Sequence, residues 1–164
     1  MTTTPLRRTA AVLAGAGAAA ACALLAAPAA NAETATCPAT GGQVAAVTVG
    51  DASCASDSVG GSAALAIGTG GTADADANAA GLSLAIAQNG GAATSESGYL
   101  SAPAAVAIGP GASVITLGVR PGLAIGIAGP GATVVVDGVN RPTCSGGLAF
   151  AGDFQTFQGC LSTQ

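Results

Sequence analysis

The chain has no histidine, no lysine and no tryptophan, and its 164 residues include one tyrosine, three phenylalanines and one methionine. Without histidine or lysine, a serine or cysteine nucleophile lacks the base that ordinarily activates it. The only cations are Arg7, Arg8, Arg120 and Arg141, set against eight acids. So few positive charges cannot neutralise a phosphate backbone, which argues against nucleic acid and anionic membrane surfaces as partners. Uninterrupted helical faces are missing too, because 26 glycines recur too often to allow them.

The first 32 residues read as a signal peptide. Arg7 and Arg8 form a basic start, Ala10 to Ala27 an uncharged apolar run, and Ala30-Asn31-Ala32 a small-x-small cleavage pattern. The Arg7-Arg8 pair lacks the bulky flanks of a twin-arginine signal. Cys22 is followed by more apolar sequence rather than by a lipoprotein start. The expectation is export with no stable membrane anchor after cleavage. The exported part keeps all eight acids, with Arg120 and Arg141 as its cations.

Four cysteines remain after Ala32: Cys37, Cys54, Cys144 and Cys160. An even number in an exported chain implies two disulfides, and four thiols allow three pairings. Cys37–Cys54 with Cys144–Cys160 is preferred, because each pair then lies within one flank. Zinc is disfavoured by the missing histidine and C-x-x-C spacing.

Between those flanks the sequence repeats every twenty residues. Gly71, Gly91, Gly111 and Gly131 mark the same place in four blocks, each preceded by a short apolar strand: Leu65-Ala66-Ile67, Leu84-Ala85-Ile86, Val106-Ala107-Ile108 and Leu123-Ala124-Ile125. Second strands run Ala73–Ala77, Ala93–Ser97, Ser113–Leu117 and Thr133–Asp137, ending at Asn78, Gly98, Gly118 and Gly138, where left-handed backbone is expected. A fixed period of this size means one unit copied and stacked. The expected fold is all-β, a β-solenoid or β-roll of about four to five repeats with disulfide-bonded caps. An antiparallel meander or sandwich built of hairpins is the alternative. The organisation expected is a signal peptide at 1–32, an N-terminal cap and degenerate repeat at 33–60, the repeat domain at 61–140 and a C-terminal cap at 141–164.

Segments such as Leu65-Ala66-Ile67-Gly68-Thr69-Gly70 and Val106-Ala107-Ile108-Gly109-Pro110-Gly111-Ala112-Ser113 resemble head repeats of trimeric autotransporter adhesins. That resemblance implies a β-roll that presents a repetitive surface to a partner. The period here is longer, and neither a coiled-coil stalk nor a membrane barrel accompanies it. The overall layout also resembles short exported Ala/Gly-rich actinobacterial proteins of unknown function.

Strand alternation puts Asp74, Asp76 and Asn78 on one face, with Ala73, Ala75 and Ala77 turned inward. Block alignment stacks Glu96 beside Asp76, so Asp74, Asp76 and Glu96 are candidate Ca²⁺ ligands. An EF-hand is excluded, because Ala79 and Ala85 replace its glycine and glutamate. Asp76 and Glu96 are also the only suspects for carboxylate-pair hydrolysis. Gly70-Gly71 and Gly90-Gly91 are turns rather than phosphate loops, as no Walker lysine follows them.

The same alignment carries this outer face through Val114 and Thr116 to Val134 and Val136. An apolar strip of that kind calls for a cover. Phe150, Phe154 and Phe157 have the spacing of one face of a short helix, which could close over the strip with Cys144–Cys160 fastening it. Were that tail detached, the strip would be a homo-oligomer contact. No cofactor is implied. The reading is a secreted, non-enzymatic structural or surface-interaction protein with a protein or envelope partner, ahead of a small-ligand or Ca²⁺-binding module.

Overall fold

The computed structural model describes residues 32–164, so all of the predicted signal peptide except its last residue lies outside them. Fourteen strands and no helix make up the described chain. Seven of them form sheet I, in the order β1 (Thr34–Thr40), β4 (Ala63–Thr69), β6 (Leu82–Gln88), β8 (Ser101–Ile108), β10 (Gly122–Ala128), β13 (Leu148–Asp153) and β14 (Gln158–Thr163). Sheet II contains β12 (Thr143–Ser145), β11 (Thr133–Val136), β9 (Ser113–Gly118), β7 (Ala92–Ser97), β5 (Thr72–Ala77), β3 (Ala52–Ser58) and β2 (Val44–Val49).

Between β3 and β11 the chain alternates between sheets, and strands of successive coils pair in parallel. This is a β-solenoid of about four turns, so the hairpin alternative falls. The degenerate block before Gly61 supplies β3, which joins the parallel register at Ser53↔Thr72. At both ends the pairing turns antiparallel: β1 on β4 and β2 on β3, then β13 on β10, β14 on β13 and β12 on β11. Each end also carries a disulfide between the sheets. Cys37 of β1 is bonded to Cys54 of β3, and Cys144 of β12 to Cys160 of β14, which is the preferred pairing.

Hydrogen bonds continue the ladders through the corners, as in Thr72 N–H to the Gly91 carbonyl, Ala92 N–H to Ala112 and Ser113 N–H to Ala132. Inward positions are almost all alanine and serine. Buried hydroxyls donate to backbone carbonyls: Ser62 Oγ to Ala77 at 2.6 Å, Ser101 Oγ to Gly118 at 2.7 Å, and Ser95 Oγ to Pro103 at 3.0 Å. The Ala77 and Gly118 carbonyls also accept the N–H groups of Val59 and Gly98.

The coils are not uniformly twenty residues long. In sheet I, Leu65 pairs with Leu84, Leu84 with Ala104, and Ala104 with Ile125, steps of nineteen, twenty and twenty-one. In sheet II, Ala93 pairs with Val114, because the Gly109-Pro110-Gly111-Ala112 corner holds one residue more than Asn89-Gly90-Gly91. A one-residue slip sends every side chain to the opposite face of its sheet. Val114, Val134 and Val136 therefore lie inside the solenoid, fully buried, rather than on its surface. The outward residue beside Thr94 is Ile115, followed by Val135.

Two further expectations are corrected. Of Asn78, Gly98, Gly118 and Gly138, only Gly138 has a positive φ; the positive-φ residues near the other corners are Ala79, Ala80, Leu100 and Gly122. The phenylalanines occupy no helix. Phe150 lies on β13 and Phe154 to Phe157 form the turn into β14, because β13 completes its pairing with β10 before a helix could start. With Val114, Val134 and Val136 already inside, there is no strip for such a lid to cover.

Candidate interaction surface

Sheet I has an unusual division of residues. Its inward positions are small: Ala66, Ala85, Ala105 and Gly126 form one row and Ala64, Ser83, Pro103 and Ala124 another. The larger apolar side chains point outward. One outer row runs Ile67, Ile86, Val106, Ile127, Phe150 and Leu161 across six paired strands. A second runs Leu65, Leu84, Ala104 and Ile125. Leu82 and Leu123, 59% and 47% exposed, stand at the edge of the face.

A hollow of about 470 Å³ lies in this face, with Ala63, Ala102 and Ala104 low between Leu65, Leu82, Leu84 and Leu123. Its position follows from Pro103. Proline gives no N–H to a ladder, and the β6–β8 pairing starts only at Leu84↔Ala104, beyond Pro103. A second hollow of about 390 Å³ lies between Ile108, Ile127, Pro130, Leu148 and Phe150. The rings of Phe150 and Phe154 both lie over Gly152. Phe157 is 92% exposed, away from that pair.

Sheet II is the polar side. Its outer rows hold Ser53, Thr72, Ala92, Ser113 and Thr133, then Ala55, Asp74, Thr94, Ile115 and Val135. The third row is acidic: Asp57, Asp76 and Glu96 stand side by side. Burial pushes the Asp76 carboxyl above its ordinary range, and the charges of Asp57 and Asp74 push it further. A hydrogen bond from Asn78 Nδ2 at 3.2 Å acts in the opposite direction. Asp57 was missed in the sequence because β3 is offset from β5 by nineteen residues rather than twenty.

The candidate Ca²⁺ ligands Asp74, Asp76 and Glu96 lie on the open outer face of sheet II. No group of three or more histidine, cysteine, aspartate or glutamate side chains among the described residues is placed to hold an ion. The reason is geometric: neighbouring strands of a sheet carry Asp76 and Glu96 in parallel, and Asp74 stands two residues along, about 7 Å away at strand rise. The small hollow of about 300 Å³ beside Glu96 is lined by Asn78, Leu117 and Val119 and does not include Asp76.

A family model described as "Family of unknown function (DUF6764)" matches residues 1–163. The chain belongs to that family. Neither the comparison with curated proteins nor that with solved structures finds a match.

For this member of DUF6764, the arrangement provides two chemically distinct faces on one two-sheet body closed by a disulfide at each end. The outward Leu/Ile rows escaped the sequence reading, although a signal was present. Ala73, Ala75 and Ala77 fill one side of the interior. Alternation along Leu65-Ala66-Ile67 and Leu84-Ala85-Ile86 puts the alanine on one face and both larger residues on the other, so with Ala66 and Ala85 inside, residues 65, 67, 84 and 86 lie outside.

Proposed function

We propose that this protein is a secreted, non-enzymatic structural or surface-interaction protein of the cell envelope or its surroundings, and that the outer face of sheet I is its working surface. One observation carries the reading: the apolar row from Ile67 to Leu161 crosses six strands, none of which has a charged residue at an outward position. From a strand spacing of about 4.8 Å and a rise of about 3.3 Å per residue, sheet I as a whole covers roughly 750 Å² and the six strands crossed by that row roughly 650 Å². Monomeric soluble proteins rarely expose contiguous apolar patches above a few hundred Å², and larger ones mark interaction sites. The two disulfides support an oxidising destination.

The test is a fractionation of cultures exporting the wild type, Val106→Glu on sheet I or Thr94→Glu on sheet II. Wild type and Thr94→Glu should remain cell-associated or run as assemblies larger than the chain, whereas Val106→Glu should be free and chain-sized. Identical distributions for wild type and Val106→Glu would refute the reading. Mass spectrometry of the same material should find a start at Glu33 and both disulfides formed.

A further inference from the structure

The apolar face has features that select an occupant. We propose that sheet I stacks face to face on sheet I of a second copy of this chain, giving a two-fold dimer with four sheet layers. The inference rests on the reading of sheet I as the working surface and names what covers it.

Three observations favour a second copy. The first is size: roughly 750 Å² of sheet, from the strand spacing and rise, is close to the ~800 Å² per partner of a standard stable interface. The second is charge. The one charged residue in the sheet I strands is Asp153, which is buried and accepts hydrogen bonds from Gln155 N–H and Thr156 Oγ1. Asp51, Asp57, Asp74, Asp76, Glu96 and Asp137 all lie on sheet II strands or in the turns next to them. Stacking through sheet I places the two acidic sheets at the outside, three layer spacings or about 30 Å apart. That is several times the ~8 Å Debye length at physiological salt, so the like charges of two copies scarcely oppose this arrangement. Stacking through sheet II would place them in contact.

The third observation is shape. The hollow over Ala102 and Ala104 and the protruding Leu82 and Leu123 belong to the same face. A two-fold interface is self-complementary, so a surface carrying both knobs and a hollow can seat its own copy. Thr34, Thr36 and Thr40 of β1 are exposed along one margin and supply a polar rim. Twisted sheets stacked in this way ordinarily lie about 10 Å apart with strands roughly 30° from parallel.

Sedimentation velocity on the purified, oxidised protein from an exporting host tests the proposal. The wild type should sediment as a dimer at micromolar concentration. Val106→Glu should raise the dissociation constant at least 100-fold, and Leu82→Glu at the exposed margin should raise it at least tenfold. Far-UV circular dichroism confirms that each variant is folded; should Val106→Glu not fold, Leu82→Glu carries the test. Ile115→Glu on sheet II should leave the dimer intact. A wild type that remains monomeric at high micromolar concentration overturns the dimer, as does a dimer broken by Ile115→Glu but not by Leu82→Glu. If the wild type is monomeric but Val106→Glu alone loses its place in the culture fractions, sheet I remains the working surface with a different occupant. If neither changes, both readings fall.

Discussion

Asp76 is the residue at which the polar face works against the fold. Its carboxyl is raised by burial first, then by Asp57 and Asp74, so the folded state holds its proton more tightly than the unfolded chain does. Stability contributed through this group therefore falls as pH rises from the ordinary aspartate range through the raised folded value, and stays low above it. Asp76→Asn should raise the melting temperature at pH 7, with the gain shrinking as pH falls into the carboxylate range; a constant gain at every pH would refute this account. Asp137 has the opposite sign. Hydrogen bonds from Asn140, through both its side chain and its backbone N–H, and from Val139 N–H hold its carboxyl below the ordinary range. Its contribution is present at neutral pH and is lost as pH falls through that lowered value. Ala80 shows strain of another kind, with φ at 61°. Left-handed backbone disfavours a residue with a Cβ by about 1–2 kcal/mol, whereas glycine gives up about 0.5–1 kcal/mol in chain entropy. Ala80→Gly should therefore stabilise the protein by up to about 1 kcal/mol, read as a shifted urea midpoint with an unchanged slope.

The strands explain how so thin an interior stays filled. As sheet II changes from Ala73 and Ala93 to Val114 and Val134, the facing row of sheet I changes from Ala66, Ala85 and Ala105 to Gly126. A Cβ on Gly126 would meet Val114 Cγ1 at 2.7 Å, Thr116 Oγ1 at 2.9 Å and Val134 Cγ1 at 3.0 Å. β-Branched side chains have few rotamers with which to yield. Gly126→Ala should destabilise by about 1–3 kcal/mol, the usual range for overpacking. Adding Val114→Ala should recover part of that loss, and a double-mutant cycle should give a coupling above about 0.5 kcal/mol. Additivity would mean that the two rows do not share a space. At the ends, the disulfides close loops of 17 and 16 residues in sequence separation. Each contributes about 3 kcal/mol in the chain-entropy model. An alanine methyl contributes far less on burial than a leucine, so this core has little reserve. Cys37→Ala with Cys54→Ala should lower the melting temperature by well over 5 °C, and an unchanged value would remove the caps from the stability account.

Across the described residues, the acids on strands and their turns gather on the sheet II side, whose outer face also carries Ile115 and Val135, while the outward positions of the sheet I strands hold no charge. The interior took the alanines and serines, and the leucines and isoleucines of sheet I were left on the surface. A dimer joined through that surface buries no outward charge of the sheet I strands, leaving Arg141 at the β14 margin, so its dissociation constant should change less than about threefold between 0.05 M and 0.5 M salt. A steep loss of affinity with salt, as screening of charge pairs would give, would place the contact elsewhere.

The twenty-residue period, the all-β solenoid and both disulfide pairs were legible in the chain. They depend on local signals: turn residues at fixed spacing and cysteines confined to their own flanks. The identities of Ala73, Ala75 and Ala77 as inward residues followed from alternation within one strand. What the sequence could not determine was phase from coil to coil. The steps of nineteen and twenty-one residues are set by how each corner closes against its neighbour, and one residue suffices to exchange inside for outside. The twenty-one-residue step moved Val114, Val134 and Val136 into the core, and the nineteen-residue step brought Asp57 beside Asp76. The exposure of the Leu/Ile rows was likewise a tertiary decision, since the space available inside either sheet depends on what the other sheet puts there.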